Sequence, residues 1–262
     1  TILHPTAFIW CVMKMKILQI TAFIIVLFLN ENASANTNAD VTVENNICTH
    51  EIDYCRDRYI REAIQDIILD EMTVWRHPIT DEVTYGTSCR NQAGGCEAHV
   101  ERVVNVIFDL SCESGYDPYK ILAIAKHESN YNPFAINKSS GAVGLLQLMP
   151  RSPFAQSIRY IHDSTYRNEC REDDTYCQQE VIHASFRLLH RSIGRCGDFN
   201  SGLGMYGSGS CRGSQSFVRF VNNYAEQVRL ESIIKAELLS SQNGATSYRA
   251  EWGSDSQHWR QY

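Results

Sequence analysis

Apolar residues recur along the chain with the period of a helix and almost nowhere with the period of a strand. In the segment 52–75 the positions Ile60, Ile64, Ile67, Ile68 and Trp75 share one helical face. Val100, Val103, Val104, Ile107 and Leu110 form a second such stripe, predicting a helix to about Ser114. A third helix is expected at 117–128, a fourth at 181–194 with Gly194 as its C-terminal stop, and a fifth at 217–239. Between the first two, Pro78, Gly86, Gly94 and Gly95 mark 76–96 as loop, and the polar run from Ser240 reads as a mobile tail. No stretch alternates over useful length, so the expected class is mainly α.

The first thing to disturb this picture is a leader. From Met13 the chain reads MKMK, then the apolar run Ile17–Leu29, then a small-residue site at Ala33-Ser34-Ala35. A basic, an apolar and a small-residue region in that order predict a secretory signal peptide at 13–35, with residues 1–12 upstream of the true start. The apolar run has 13 residues, short of the ~20 that span a bilayer core. No stable membrane span is therefore expected after cleavage, and the product is expected to be exported, periplasmic or extracellular.

Removing that leader takes the formal charge from −6 to −7, an acidic balance that argues against nucleic acid as a partner. Nine cysteines remain, from Cys48 to Cys211. In an exported chain they read as disulfides with one thiol left over. Three pairs stand at even spacing: 48 and 55, 89 and 96, 170 and 177. None has the tight spacing of a zinc site, so no metal is expected. Cys196 and Cys211, which bracket the 199–209 stretch, are expected to bond to each other, with Cys170 and Cys177 the next local pair.

Chemistry concentrates in one block. Asp117-Pro118 combines an N-cap with proline at the first helical position. The residues that follow place Ile121, Ile124, Ala125 and Glu128 on one face. Glu128 thus leaves the buried stripe near the helix C-terminus, where lost hydration and the negative helix pole both disfavour ionisation. A raised pKa is what a general acid requires near neutrality. Taken alone, the same position also fits a carboxylate that ends a helix in solvent.

Downstream stand Ser129-Asn130-Tyr131-Asn132-Pro133 and then Gly141-Ala142-Val143-Gly144-Leu145-Leu146-Gln147-Leu148-Met149-Pro150. A Glu-Ser pair, an Asn-Pro turn and this ten-residue run in fixed order resemble the soluble lytic transglycosylase catalytic domain of the lysozyme-like superfamily, to which goose-type lysozymes are related. The likeness runs from about 97 to 235. It divides the chain into the leader, an N-terminal extension at 36–96 that is partly helical, a catalytic domain at 97–239, and the tail at 240–262. It implies a lysozyme-like fold and peptidoglycan glycan strands as partner. The implied reaction is cleavage of the β-1,4 bond between N-acetylmuramic acid and N-acetylglucosamine to a 1,6-anhydro product, with Glu128 catalytic and no cofactor.

The glycines of the block let backbone approach backbone or sugar, Gln147 offers an amide, and Met149 offers an adaptable apolar wall. By the same resemblance Tyr206 is the tyrosine of the family's third motif, with Phe199-Asn200-Ser201-Gly202 a decoy ahead of it. Two departures fall on the substrate-binding side. Gly207 stands where the family has asparagine, leaving backbone and free space. One extra residue between Pro133 and Gly141 lets the loop serine correspond to Asn137, Lys138 or Ser139, of which Ser139 is taken. The candidate substrate-binding set is thus Ser139, Gln147, Met149, Tyr206 and Gly207. It carries an expectation of altered acetamido recognition, extending to modified or de-N-acetylated glycan. Asp163 and Asp198 are read as turn or capping residues. The alternatives are a goose-type lysozyme-like hydrolase and a non-catalytic glycan-binding protein.

Overall fold

The computed structural model describes residues 54–171 and 174–242. The leader at 13–35, the stretch at 36–47, Cys11, Cys48 and the tail past 242 lie outside the described residues. The chain folds as α1 (Arg58–Met72), β1 (Thr73–Arg76), β2 (Val83–Tyr85), α2 (Thr87–Arg90), α3 (Gly95–Glu113), α4 (Pro118–Ser129), α5 (Arg159–His162), α6 (Ser164–Glu169), α7 (Asp174–Cys196), α8 (Phe199–Ser208) and α9 (Gln215–Gln242). It is mainly helical, as the periodicity implies.

Helix α1 starts where the Asp57 carboxylate accepts the N–H groups of Tyr59 and Ile60 at 2.8 and 3.1 Å, satisfying donors that the first turn leaves open. Its buried stripe, Ile60, Ala63, Ile64, Ile67, Ile68 and Met72, packs against α9 and α3. The helix ends before Trp75. Thr73, Val74 and Trp75 are β-branched or aromatic and favour extended backbone, and they pair antiparallel with 83–85. A small hairpin thus replaces both the predicted end of the helix and part of the predicted loop.

Helix α4 is buried at Pro118, Tyr119 and every position from Ile121 to Ala125, the burial of a central helix that no single stripe predicts. Asp117 caps it, accepting the Tyr119 N–H at 3.1 Å, and Arg229 of α9 pairs with the same carboxylate. Helices α3 and α9 pack on either side of it. Helix α7 runs straight through Gly194 to Cys196. The stop is Gly197, whose φ of +92° supplies the left-handed turn that a lone interior glycine does not. Helix α9 continues three residues past the predicted Leu239 to Gln242.

Two cores result. The larger joins α1, α3, α4, α7, α8 and α9, and the smaller gathers Val143, Leu148, Ile158, Tyr160, Ile161 and Val181 around the 134–170 segment. Four disulfides pin the ends of these pieces: Cys55–Cys112, Cys89–Cys96, Cys170–Cys177 and Cys196–Cys211. The two expected local pairs are present. Cys55, however, bonds Cys112 across 57 residues rather than its near neighbour Cys48, and so fastens the segment before α1 to the end of α3. Among the described residues, no helix is long and apolar enough to cross a membrane, and no cluster of three or more metal-ligating side chains occurs.

Candidate active site

Glu128 sits one residue before the end of α4, where the chain reverses sharply. Asn130 and Tyr131 both adopt left-handed backbone, with φ of +50° and +61°, a costly pairing for residues that carry a Cβ. The turn is secured by the N–H of Asn130 on Lys126 O at 3.0 Å and that of Tyr131 on Ala125 O at 3.3 Å. It is also held from outside α4. The fully buried Tyr131 hydroxyl donates to Tyr224 at 2.7 Å, and Tyr224 donates to Glu71 of α1 at 2.8 Å. Glu71 in turn pairs with Lys126 at 2.8 Å, and His99 Nε2 donates to the Tyr131 carbonyl at 2.9 Å. Residues on both sides of Glu128 are therefore anchored to α1, α3 and α9.

The Glu128 side chain keeps only 22% of its exposure. Burial pushes its carboxyl up to about 7, and no second carboxylate contributes to that displacement. One titratable neighbour is His127, whose Nδ1 lies 3.7 Å from Oε1. The His127 ring is packed against Phe217 and Phe220, with centroids 4.7 and 5.2 Å away, and burial lowers its pKa. Tyr206 is another neighbour. Burial first, and the Glu128 charge second, raise its hydroxyl pKa. A carboxyl that stays protonated to about pH 7 can deliver a proton to a glycosidic oxygen, and as a carboxylate it can take one back.

The 133–150 segment forms the facing wall through a short ladder: Ile136 and Leu148 each bridge to Val143. Gly144 has a φ of +85°, and a Cβ there would meet Val181 Cγ1 at 3.1 Å, so this glycine serves close packing on α7. Gln147 spends its amide hydrogens inside the loop, on Ala135 O at 3.1 Å and Gly144 O at 3.0 Å. The atom left for another partner is its Oε1. Met149 is half-buried beside it.

Ser139 is exposed, and its hydroxyl donates to Asn137 Oδ1 at 2.7 Å. That oxygen also accepts the N–H groups of Ser139 and Ser140, so Asn137 closes the longer loop. Tyr206 projects from α8 and donates to Leu146 O at 2.6 Å, locking the wall to the helix that carries it. The decoy Phe199-Asn200-Ser201-Gly202 forms the first turns of that same helix. Asp198 caps it through the N–H of Ser201, as Asp163 caps α6.

Gly207 requires a correction. It does not leave free space, because a Cβ at 207 would lie 2.7 Å from Cδ1 of Phe217. The Phe217 ring fills the volume an asparagine would need and meets the His127 ring at a tilt of 56° from there. Phe217 and Glu71 are not candidates on sequence, and Asn137 is only one of three positions open to the loop serine. Phe217 is indistinguishable from a core position of α9, and Glu71 lies 57 residues before Glu128 on another helix. Asn137 alone left a signal, since an Asn two and three residues ahead of a serine pair suits an Asx-turn.

A mainly helical lysozyme-like domain that stations one buried carboxyl beside a tyrosine defines the class of protein. Residues 105–217 match the family model described as the transglycosylase SLT domain. The members of that family are lytic transglycosylases, enzymes that act on peptidoglycan. No curated protein and no solved structure matches the chain.

Proposed function

We propose that this protein is an exported enzyme that cleaves the β-1,4 bond between N-acetylmuramic acid and N-acetylglucosamine, using Glu128 as both acid and base and leaving a 1,6-anhydro sugar. The observation that carries the reading is a buried carboxyl raised to about 7 by burial, with no second carboxylate among the causes. Glycosidases that work with two carboxylates place the second roughly 5–9.5 Å from the first, as nucleophile or as base for water. A single carboxyl suffices when the substrate supplies its own nucleophile. Glu128 gives its proton to the leaving oxygen as the C1–O bond breaks. The muramyl 6-hydroxyl oxygen bonds C1, and its proton returns to Glu128, so no water is consumed.

Tyr206 supports this arrangement by fixing the Leu146 turn against α8. Met149 and the Oε1 of Gln147 offer an apolar and an accepting contact to the sugar. Ser139 is exposed in the loop of the same wall, and Gly207 lies one residue after Tyr206 on α8. Four disulfides support export.

Mass spectrometry of digested peptidoglycan tests the proposal. Anhydro-muropeptides are expected, together with a rate loss of about 10²-fold or more in Glu128→Gln. A Glu128→Gln enzyme that keeps a tenth of the wild-type rate overturns the role of Glu128. Reducing ends alone replace the lyase with a goose-type hydrolase.

A further inference from the structure

Helix α7 carries a surface that the site around Glu128 does not use. His183, Arg187, His190 and Arg191 recur at i, i+4, i+7 and i+8 and are all exposed, so they form one stripe along the helix. By helical geometry the stripe lies roughly opposite Ser185, the α7 residue that faces Tyr206. Beside it opens a cleft of about 570 Å³ lined by these four side chains and by Tyr116, Phe154 and Phe186. The Arg187 guanidinium lies 5.9 Å from the Phe154 ring, and neither Arg187 nor Arg191 has an ion-pair partner among the described residues. No carboxylate lines the cleft. Beyond His183 stand the exposed Glu180, one turn earlier on the same helix, and Asp109 and Glu113, which line an adjoining cleft, Asp109 being held by Arg61 at 2.6 Å. On a chain of net charge −6, a cationic, aromatic-floored trough with no acid in it is complementary to an anionic partner.

Resting on the proposed function, we propose that this trough binds the carboxylate-bearing peptide stems of the peptidoglycan, holding the wall while a glycan strand lies at Glu128. Guanidinium groups match carboxylates in a bidentate fork, and the aromatic floor accepts the short apolar side chains of a stem. The trough and Glu128 lie on different sides of α7, a helix ~10–12 Å across with its side chains. A peptide of four or five residues extends to ~13–18 Å, enough to pass around it. Docking of this kind raises the local concentration of substrate without touching the reacting bond.

The test uses the full chain carrying Glu128→Gln, so that binding is read without cleavage, alone and combined with Arg187→Ser/Arg191→Ser. Binding is measured on intact sacculi, on sacculi stripped of stems by an amidase, and on sacculi whose carboxylates are amidated. The parent is expected to lose about tenfold in affinity on the two modified walls, and the double variant to show that weaker affinity on all three. Arg187→Lys/Arg191→Lys, which keeps the charge but not the fork, is expected to recover part of the binding and so to exclude misfolding. Equal binding of parent and double variant to intact sacculi overturns the proposal. So does a loss that tracks removal of phosphate-bearing wall polymers in place of stems. Cleavage of stem-free glycan by the enzyme with Glu128 intact separates the two readings. Its presence keeps the proposed function whatever the trough does, and its absence removes that function first.

Discussion

Replacing Glu128 with glutamine is expected to stabilise the protein, and to do so only above a defined pH. The carboxyl ionises at about 7 in the folded state against an ordinary 4.5, so the folded chain holds a proton that the unfolded chain releases. A group raised in this way contributes its stability in full below pH 4.5, and that contribution is lost as the pH climbs through about 7. At 1.36 kcal/mol per pH unit the loss amounts to about 3 kcal/mol by pH 8. Glutamine has the same shape and never ionises. The melting temperatures of the two proteins should coincide near pH 4 and separate by roughly 6–12 °C at pH 8, with the variant higher. Scanning calorimetry at half-unit intervals reads this directly, and activity of the parent should fall over the same upper limb as the acid form disappears. A separation that stays constant from pH 4 to 8.5 refutes the claim that burial of Glu128 holds its proton.

Three further outcomes follow from contacts around the site. Gly207→Asn should lower stability by about 1–3 kcal/mol, the usual cost of overpacking, with Phe217→Ala in the same chain recovering part of it in urea melts. Neutrality of Gly207→Asn on its own would mean that Phe217 does not fill that volume. Serine at both Cys196 and Cys211 opens a 15-residue loop around Tyr206 and should cost about 3 kcal/mol, measured as the shift in denaturation midpoint without reductant. Glu71→Leu removes the shared acceptor of Lys126 and Tyr224 and should cost about 2–3 kcal/mol. Glu71→Gln, which still accepts from Tyr224, should cost less, and equal losses would show that the hydrogen bond to Tyr224 contributes nothing.

Much of this was legible in the sequence, because it is written in local chemistry. Asp117-Pro118 starts α4 where a cap and a missing N–H dictate, and the apolar spacing through Ile121 and Ile124 places Glu128 on a buried face. The Cys196–Cys211 bridge follows from two cysteines flanking one helical segment. What escaped reading depends on partners distant in sequence. Trp75 continues a helical stripe on paper, yet strand pairing with 83–85 takes it out of the helix. Cys48 and Cys55 look like a pair by spacing, and tertiary packing gives Cys55 to Cys112 instead. Gly207 reads as an omission until Phe217 is seen in its place.

The extent of the family match has a structural consequence. It runs from residue 105 to 217, beginning inside α3 and ending three residues into α9, so its limits are not the limits of a folding unit. Helix α9 lies antiparallel to α4. Phe217 and Phe220 meet His127, Tyr224 meets Tyr131, and Arg229 and Ser232 meet Asp117 and Tyr119. All but the first of these α9 residues fall beyond the match, as does Glu71. The match therefore contains the carboxyl, the glycine-rich wall and the tyrosine, while the groups that hold both ends of α4 come from outside it. A strained left-handed pair right after Glu128 persists only where its surroundings over-determine it. Here Glu71, Tyr224 and His99 do so. The helical extension is thus part of the same core as the site, because without α1 the turn that buries Glu128 loses the acceptor at the end of its hydrogen-bond chain.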